Sequence, residues 1–84
     1  MVNSFWDWDD EPEGNVQRIA EHGIFKDDVE AVLADPVDRQ NSRSSKRPIW
    51  FGYTPDGRYI GVVFQWIDSD TVYPVTAFEV LGGD

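Results

Sequence analysis

At 84 residues, of which 40% are hydrophobic and 14% aromatic, the chain has room for a single domain spanning 1–84, and a domain of this size buries only about 60% of the surface its unfolded form exposes. The absence of cysteine excludes a disulfide framework and a thiolate zinc site, and no apolar run approaches the roughly 20 residues that span a bilayer, so no membrane is expected and the cytoplasm is the expected location. A net charge of −9 argues against general nucleic-acid affinity, which runs on neutralising phosphates with Lys and Arg.

The charge is unevenly distributed. Between residues 39 and 58, Arg39, Arg43, Lys46, Arg47 and Arg58 stand against one acid, Asp56, for a local net of +4, while the rest of the chain carries −13. The twelve aromatics, Trp6, Trp8, Trp50 and Trp66 with five Phe and three Tyr, supply the large contact areas that a small core needs, and most are expected inside.

The first segment, residues 1–13, interleaves Asp7, Asp9, Asp10, Glu11 and Glu13 with Phe5, Trp6 and Trp8. It reads as a short edge strand whose aromatics dock while its acids face water. From Asn15 the spacing turns helical, with Val16, Ile19 and Ala20 at i, i+3 and i+4 and Asn15 as the expected N-cap. Gly23 suits the left-handed position after a helix, Ile24 can fold back onto Ile19, and His22 falls at the C-cap.

A second short helix follows, with Asp27 and Glu30 at capping-box spacing and Val29, Val32 and Leu33 as its apolar stripe. The two helices occupy 15–34, and Asp35-Pro36 ends them. Residues 36–80 read as antiparallel strands: a weak one over 36–42, then 47–53, 58–67 and 71–80, with Gln40 to Lys46 a loop and 81–84 a tail. Thr54-Pro55-Asp56-Gly57 is the sharpest turn signal. With Tyr53 opposite Arg58, Ile49, Phe51, Ile60, Val62, Phe64 and Trp66 line the helix-covered face, and Trp50, Gly52, Tyr59, Gly61, Val63 and Gln65 the other. A one-residue bulge at Gly57 would swap part of that assignment. The expected fold class is α+β, two short N-terminal helices packed on one face of a three- to four-stranded antiparallel meander.

Several fragments, in order, resemble the BrnT family of toxins from type II toxin–antitoxin systems. They are Trp8-Asp9-Asp10-Glu11 with Asn15, His22-Gly23-Ile24, Asp27 through Leu33, Ala34-Asp35-Pro36, Arg47-Pro48-Ile49-Trp50-Phe51-Gly52, Gly57 through Phe64, and Val75-Thr76-Ala77. The resemblance implies a RelE-like ribonuclease fold, a cognate antitoxin as partner, and metal-independent cleavage of RNA by basic residues on the exposed sheet face. The family's recurrent basic positions match Arg47 and Arg58. Where the family continues its last strand with Ser-Ala-Arg, this chain has Thr76-Ala77-Phe78-Glu79.

Cleaving RNA through its own 2′-OH needs a base, an acid and cations that stabilise the phosphorane. Arg47 and Arg58 are the candidate stabilisers, with Lys46 assisting proton transfer. Arg43, Tyr53, Tyr59 and Tyr73 are candidates for gripping phosphate or stacking on bases. Solvated loop charges and packing tyrosines are the bland account of the same residues. His22, the sole histidine, is read as a helix cap. The acids at 7, 9 and 10 match no metal loop, so neither metal nor cofactor is expected. RNA or the ribosome is the partner on the toxin reading. The alternative is an inactive BrnT-like module that binds a protein through its acidic and aromatic surfaces.

Overall fold

The computed structural model describes residues 2–43 and 46–81. In chain order the elements are β1 (Asn3–Ser4), α1 (Asn15–Ala20), α2 (Lys26–Ala34), β2 (Asp38–Asn41), β3 (Pro48–Tyr53), β4 (Tyr59–Trp66) and β5 (Thr71–Glu79). They build one five-stranded sheet in the order β1-β5-β4-β3-β2. β2 to β5 pair antiparallel, but β1 runs parallel to β5, with Asn3 opposite Thr71 and Ser4 opposite Val72.

This corrects the expected architecture. The sheet is mixed rather than a three- to four-stranded antiparallel meander of the RelE-like kind. The short edge strand expected within residues 1–13 is present only as Asn3–Ser4, and it joins the sheet as a fifth strand parallel to β5. A parallel pairing across the whole sequence has no turn to announce it.

Both helices cover one sheet face, α1 against β5 and α2 against β3 and β4. Ile19, Ile24, Val29, Val32 and Leu33 meet Ile60, Val62, Phe64, Val72 and Ala77 in a single core. Of the twelve aromatics, all of them among the described residues, Phe64 alone is fully buried. The expectation that most lie inside is corrected: Trp50 and Trp6 pack at the core margin, while Phe5, Trp8, Phe25, Tyr53 and Trp66 remain exposed.

The β3–β4 turn decides which residues face the helices. Gly57 takes a φ of 92°, the left-handed residue that follows a type I turn and forms a bulge. Tyr53 therefore pairs with Tyr59 rather than Arg58, and Trp50 and Gly52 come opposite Val62 and Ile60. Trp50 and Gly52 thus exchange faces with Ile49 and Phe51. Gly52 lies against α2, where an added Cβ would stand 3.3 Å from a Val32 methyl, whereas at Gly61 it would stand 2.7 Å from Phe78 and 2.8 Å from Phe51. The open face is accordingly roofed by aromatic rings closing over a missing side chain.

The helix ends are also shifted. α1 begins after Gly14 as N-cap, and α2 after Phe25, whose N–H is accepted by the Asp28 carboxylate at 3.0 Å. Asn15 and Asp27 are consequently not the caps. A carboxylate at the third helical position fulfils the reciprocal half of a capping box whatever side chain precedes it. At the end of α1, Gly23 (φ 74°) donates to the Ala20 carbonyl at 2.9 Å and Ile24 to that of Ile19 at 3.4 Å, the paired bonds of a Schellman ending. In that pattern Gly23 stands at C′ and His22 at the C-cap, one residue beyond Glu21, where the regular helix ends; His22 is exposed.

Candidate functional site

Arg58 sits where the β3–β4 turn enters β4, directly beneath the α1–α2 junction. Its Nη2 donates to Asp28 Oδ2 at 2.9 Å, its Nη1 to the Gly23 carbonyl at 2.8 Å, and its Nε to both Asp56 oxygens at 3.2 Å. Asp28 is nearly buried, with 12% of its side chain exposed against 27% for Arg58. Two carboxylates and a carbonyl thus surround one guanidinium. The planar fork that suits arginine to phosphate is here spread over protein oxygens.

The turn is tied from within as well. The Thr54 hydroxyl donates to Asp56 and accepts the Arg58 N–H. That hydroxyl first, and Arg58 second, hold the Asp56 carboxyl below the usual carboxylate value, and Asp56 in turn, with Asp28 behind it, raises the Arg58 guanidinium above its own.

Arg47 precedes β3, and Arg58 pairs through its backbone with Thr54, the residue after it. A full strand length, on the order of 20 Å at ~3.3 Å per residue, separates them. The three residues expected to act together on one phosphate are therefore divided: Lys46 and Arg47 belong to the β2–β3 loop, Arg58 to the opposite end of the hairpin.

At the loop end, Arg39 lies over the Trp50 ring at 4.9 Å, a cation–π contact. The Ser42 N–H donates to the Arg47 carbonyl at 2.7 Å and the Lys46 N–H to the Ser42 carbonyl at 2.8 Å, closing the loop on itself. Arg43 and Lys46 are exposed. Residues 39 to 47 contain four cations and no acid. Part of the expected Gln40 to Lys46 loop, Ser44 and Ser45, falls outside the described residues, as does the expected tail beyond Leu81.

The tyrosines also divide. Tyr53 and Tyr59 are neighbours on the open sheet face, ring centroids 4.9 Å apart, and Tyr59 stacks on Phe51 at 6.0 Å, which meets Phe78 edge-on at 6.1 Å. Tyr73 is committed elsewhere, its hydroxyl donating to Asp7 Oδ2. Asp7 Oδ2 also accepts the Asn15 N–H at 2.9 Å, and the Asn15 side chain returns bonds to the Asp7 N–H and the Phe5 carbonyl, each at 2.9 Å. Asn15 is wholly buried. Its amide fastens the acidic N-terminal segment to α1, while the Tyr73 hydroxyl ties the same segment to β5; with its polar atoms bonded, Asn15 can be enclosed there. Tyr73 and then Asn15 draw the Asp7 carboxyl below its usual value, while that bond first, and burial second, raise the Tyr73 phenol.

The sequence does not announce Asp28 and Asn15 as partners, because its cap signals at Asn15 and Asp27 lie one and two residues beyond the true N-caps, Gly14 and Phe25. The Phe25-to-Asp28 spacing was the available signal for the first. Among the described residues no group of three or more His, Cys, Asp or Glu side chains is placed to hold a metal, and no helix is long and apolar enough to cross a membrane. Comparison with protein-family models, curated proteins and solved structures gives no match.

Proposed function

We propose that the chain is a BrnT-like component of a toxin–antitoxin pair, working in the cytoplasm by binding a protein partner rather than by cleaving RNA. The observation that carries this reading is the engagement of Arg58. The cation best supported by rigid structure is already matched by Asp28, Asp56 and the Gly23 carbonyl, and the remaining candidate cations lie a strand length away. A phosphorane at Arg58 would have to displace two carboxylates and approach their charge, which costs more than the contact returns. The exposed aromatics and the acidic N-terminal segment, by contrast, are the surface expected of a protein-binding module.

A second reading keeps RNA as the target. It is favoured by Arg39, Arg43, Lys46 and Arg47 at the β2–β3 end, four cations in a stretch of sequence that contains no acid and that could neutralise phosphates. Expression without a partner, followed by inspection of growth and of total RNA, separates the two. Intact RNA with unimpaired growth is expected. RNA cleavage that disappears in a Lys46→Ala, Arg47→Ala double variant but persists in one retaining both would overturn the binding-only reading.

A further inference from the structure

Trp8 is 82% exposed and Phe25 60% exposed, large apolar surfaces left in water on a small fold. They rim two adjoining clefts of about 380 and 510 Å³ between the N-terminal segment and the α1–α2 junction, and Trp6, Asp9 and Lys26 line both. Trp6 is held in place, its indole N–H donating to Ser4 Oγ at 3.0 Å and to Glu30 Oε2 at 3.2 Å. Asp10 lines the outer cleft and Asp27 the inner one. Aromatic walls and carboxylates together make a seat for an organic cation, which indole faces attract and carboxylates hold.

The groove already contains one such group. The Lys26 ammonium reaches across it to Asp9 Oδ1 at 2.8 Å, in a pair that leaves both partners solvent-accessible. Such a pair contributes little to stability and is readily exchanged. Lys26 therefore marks the position an incoming cation would take and competes with it.

We propose that this groove docks a basic segment of a protein partner, an arginine or lysine side chain lying against Trp6 and Trp8 with its charge on Asp9 and Asp10. The proposal rests on the partner-binding reading above and specifies its surface. The commitment to a basic occupant comes from charge: five acids lie from Asp7 to Glu13 with no cation among them, so an acidic segment would be repelled there and a neutral one would leave the carboxylates unmatched.

The test is calorimetric titration of the full chain with a short peptide alternating arginine and leucine, repeated at rising salt. Saturable binding that weakens with salt is expected. Trp8→Ala, whose exposed ring contributes little to the fold, is expected to weaken it about two- to fivefold, and Asp9→Asn with Asp10→Asn about tenfold. Lys26→Ala, which removes the internal competitor, is expected to tighten it about threefold. Asp38→Asn, the same charge change as Asp9→Asn alone but on β2 at the far edge of the sheet, is expected to leave it unaltered. Absence of binding, an equal loss in Asp38→Asn and Asp9→Asn, or indifference to Trp8→Ala would overturn the proposal. So would sedimentation showing that the chain dimerises through this groove, since a second copy would then be its occupant. The titration needs no toxin activity, so a silent growth assay leaves the groove standing and a silent titration leaves the pair assignment standing.

Discussion

The two ends of the β3–β4 hairpin carry cations of similar sequence appearance and opposite physical status. At the turn end, Arg58 is held by Asp28, Asp56 and a carbonyl beneath two helices. At the loop end, Arg39, Arg43, Lys46 and Arg47 occupy a stretch without an acid. Arg58 is thus a structural clamp, tied to carboxylates that folding brings from α2 and from its own turn, whereas the cations of the 39–47 stretch have no acid beside them in sequence within that stretch.

The largest expected effect comes from Arg58→Ala, which strands Asp28 without its cation. Thermal melting is expected to fall by several degrees, more than for any other basic residue of the 39–58 stretch, and Arg58→Lys is expected to recover only part because one ammonium cannot span all the partners. An Arg58→Ala protein that melts like the parent would erase the contrast. Gly57→Ala tests the turn that aims Arg58: a methyl at φ 92° is expected to cost ~1–2 kcal/mol in chemical denaturation.

Acid titration should give a smaller change. Asp7 and Asp56 have folded values below the ordinary 3.8, so on acidification the unfolded chain takes up protons first. Their stabilisation is complete above that pH and is lost as pH falls through the lower folded values. The Tyr73 phenol is raised above 10.0, and its contribution, complete below that pH, is lost as pH rises through the folded value. Circular dichroism across the range is expected to show a plateau between these limits, and Tyr73→Phe to remove the alkaline loss.

The smallest effect on stability is expected at the loop end. Arg43→Ala and Lys46→Ala, both at exposed positions, are expected to stay within ~0.5 kcal/mol of the parent. If this end does touch RNA, the double variant lowers the salt dependence of single-strand binding by a log–log slope of about 1.4, at ~0.7 per phosphate contact. An Arg58→Ala protein is expected to retain the parental slope.

Much of the strand pattern is legible in the chain. β3, β4 and β5 fall within a residue or so of the β-branched and aromatic runs, because their alternation is long enough to read. The Gly57 turn is likewise visible, but the face assignment hinges on one extra residue in it, and a one-residue slip reverses every side chain. A short N-terminal edge strand is legible, but its parallel pairing with β5 and the Arg58 clamp are hidden by distance: Asp28 and Arg58 are 30 residues apart, and nothing local in sequence distinguishes a paired arginine from a solvated one. The groove was half legible. Its aromatics and acids are adjacent in sequence, but docking was expected for all three aromatics, and only Trp6 packs against the core.

The parallel partnership of β1 with β5 also bears on the order in which the chain assembles. Joining Asn3 to Thr71 closes a loop through nearly the whole sequence, an entropic debt that local contacts do not defray. The hairpins β3–β4 and β4–β5 can form from near neighbours, whereas β1 has no template until β5 is in place. It is therefore expected to be the last strand added and the first released, and the amides of Asn3 and Phe5, which donate to the Asp70 and Val72 carbonyls, should exchange with solvent ahead of those in β4.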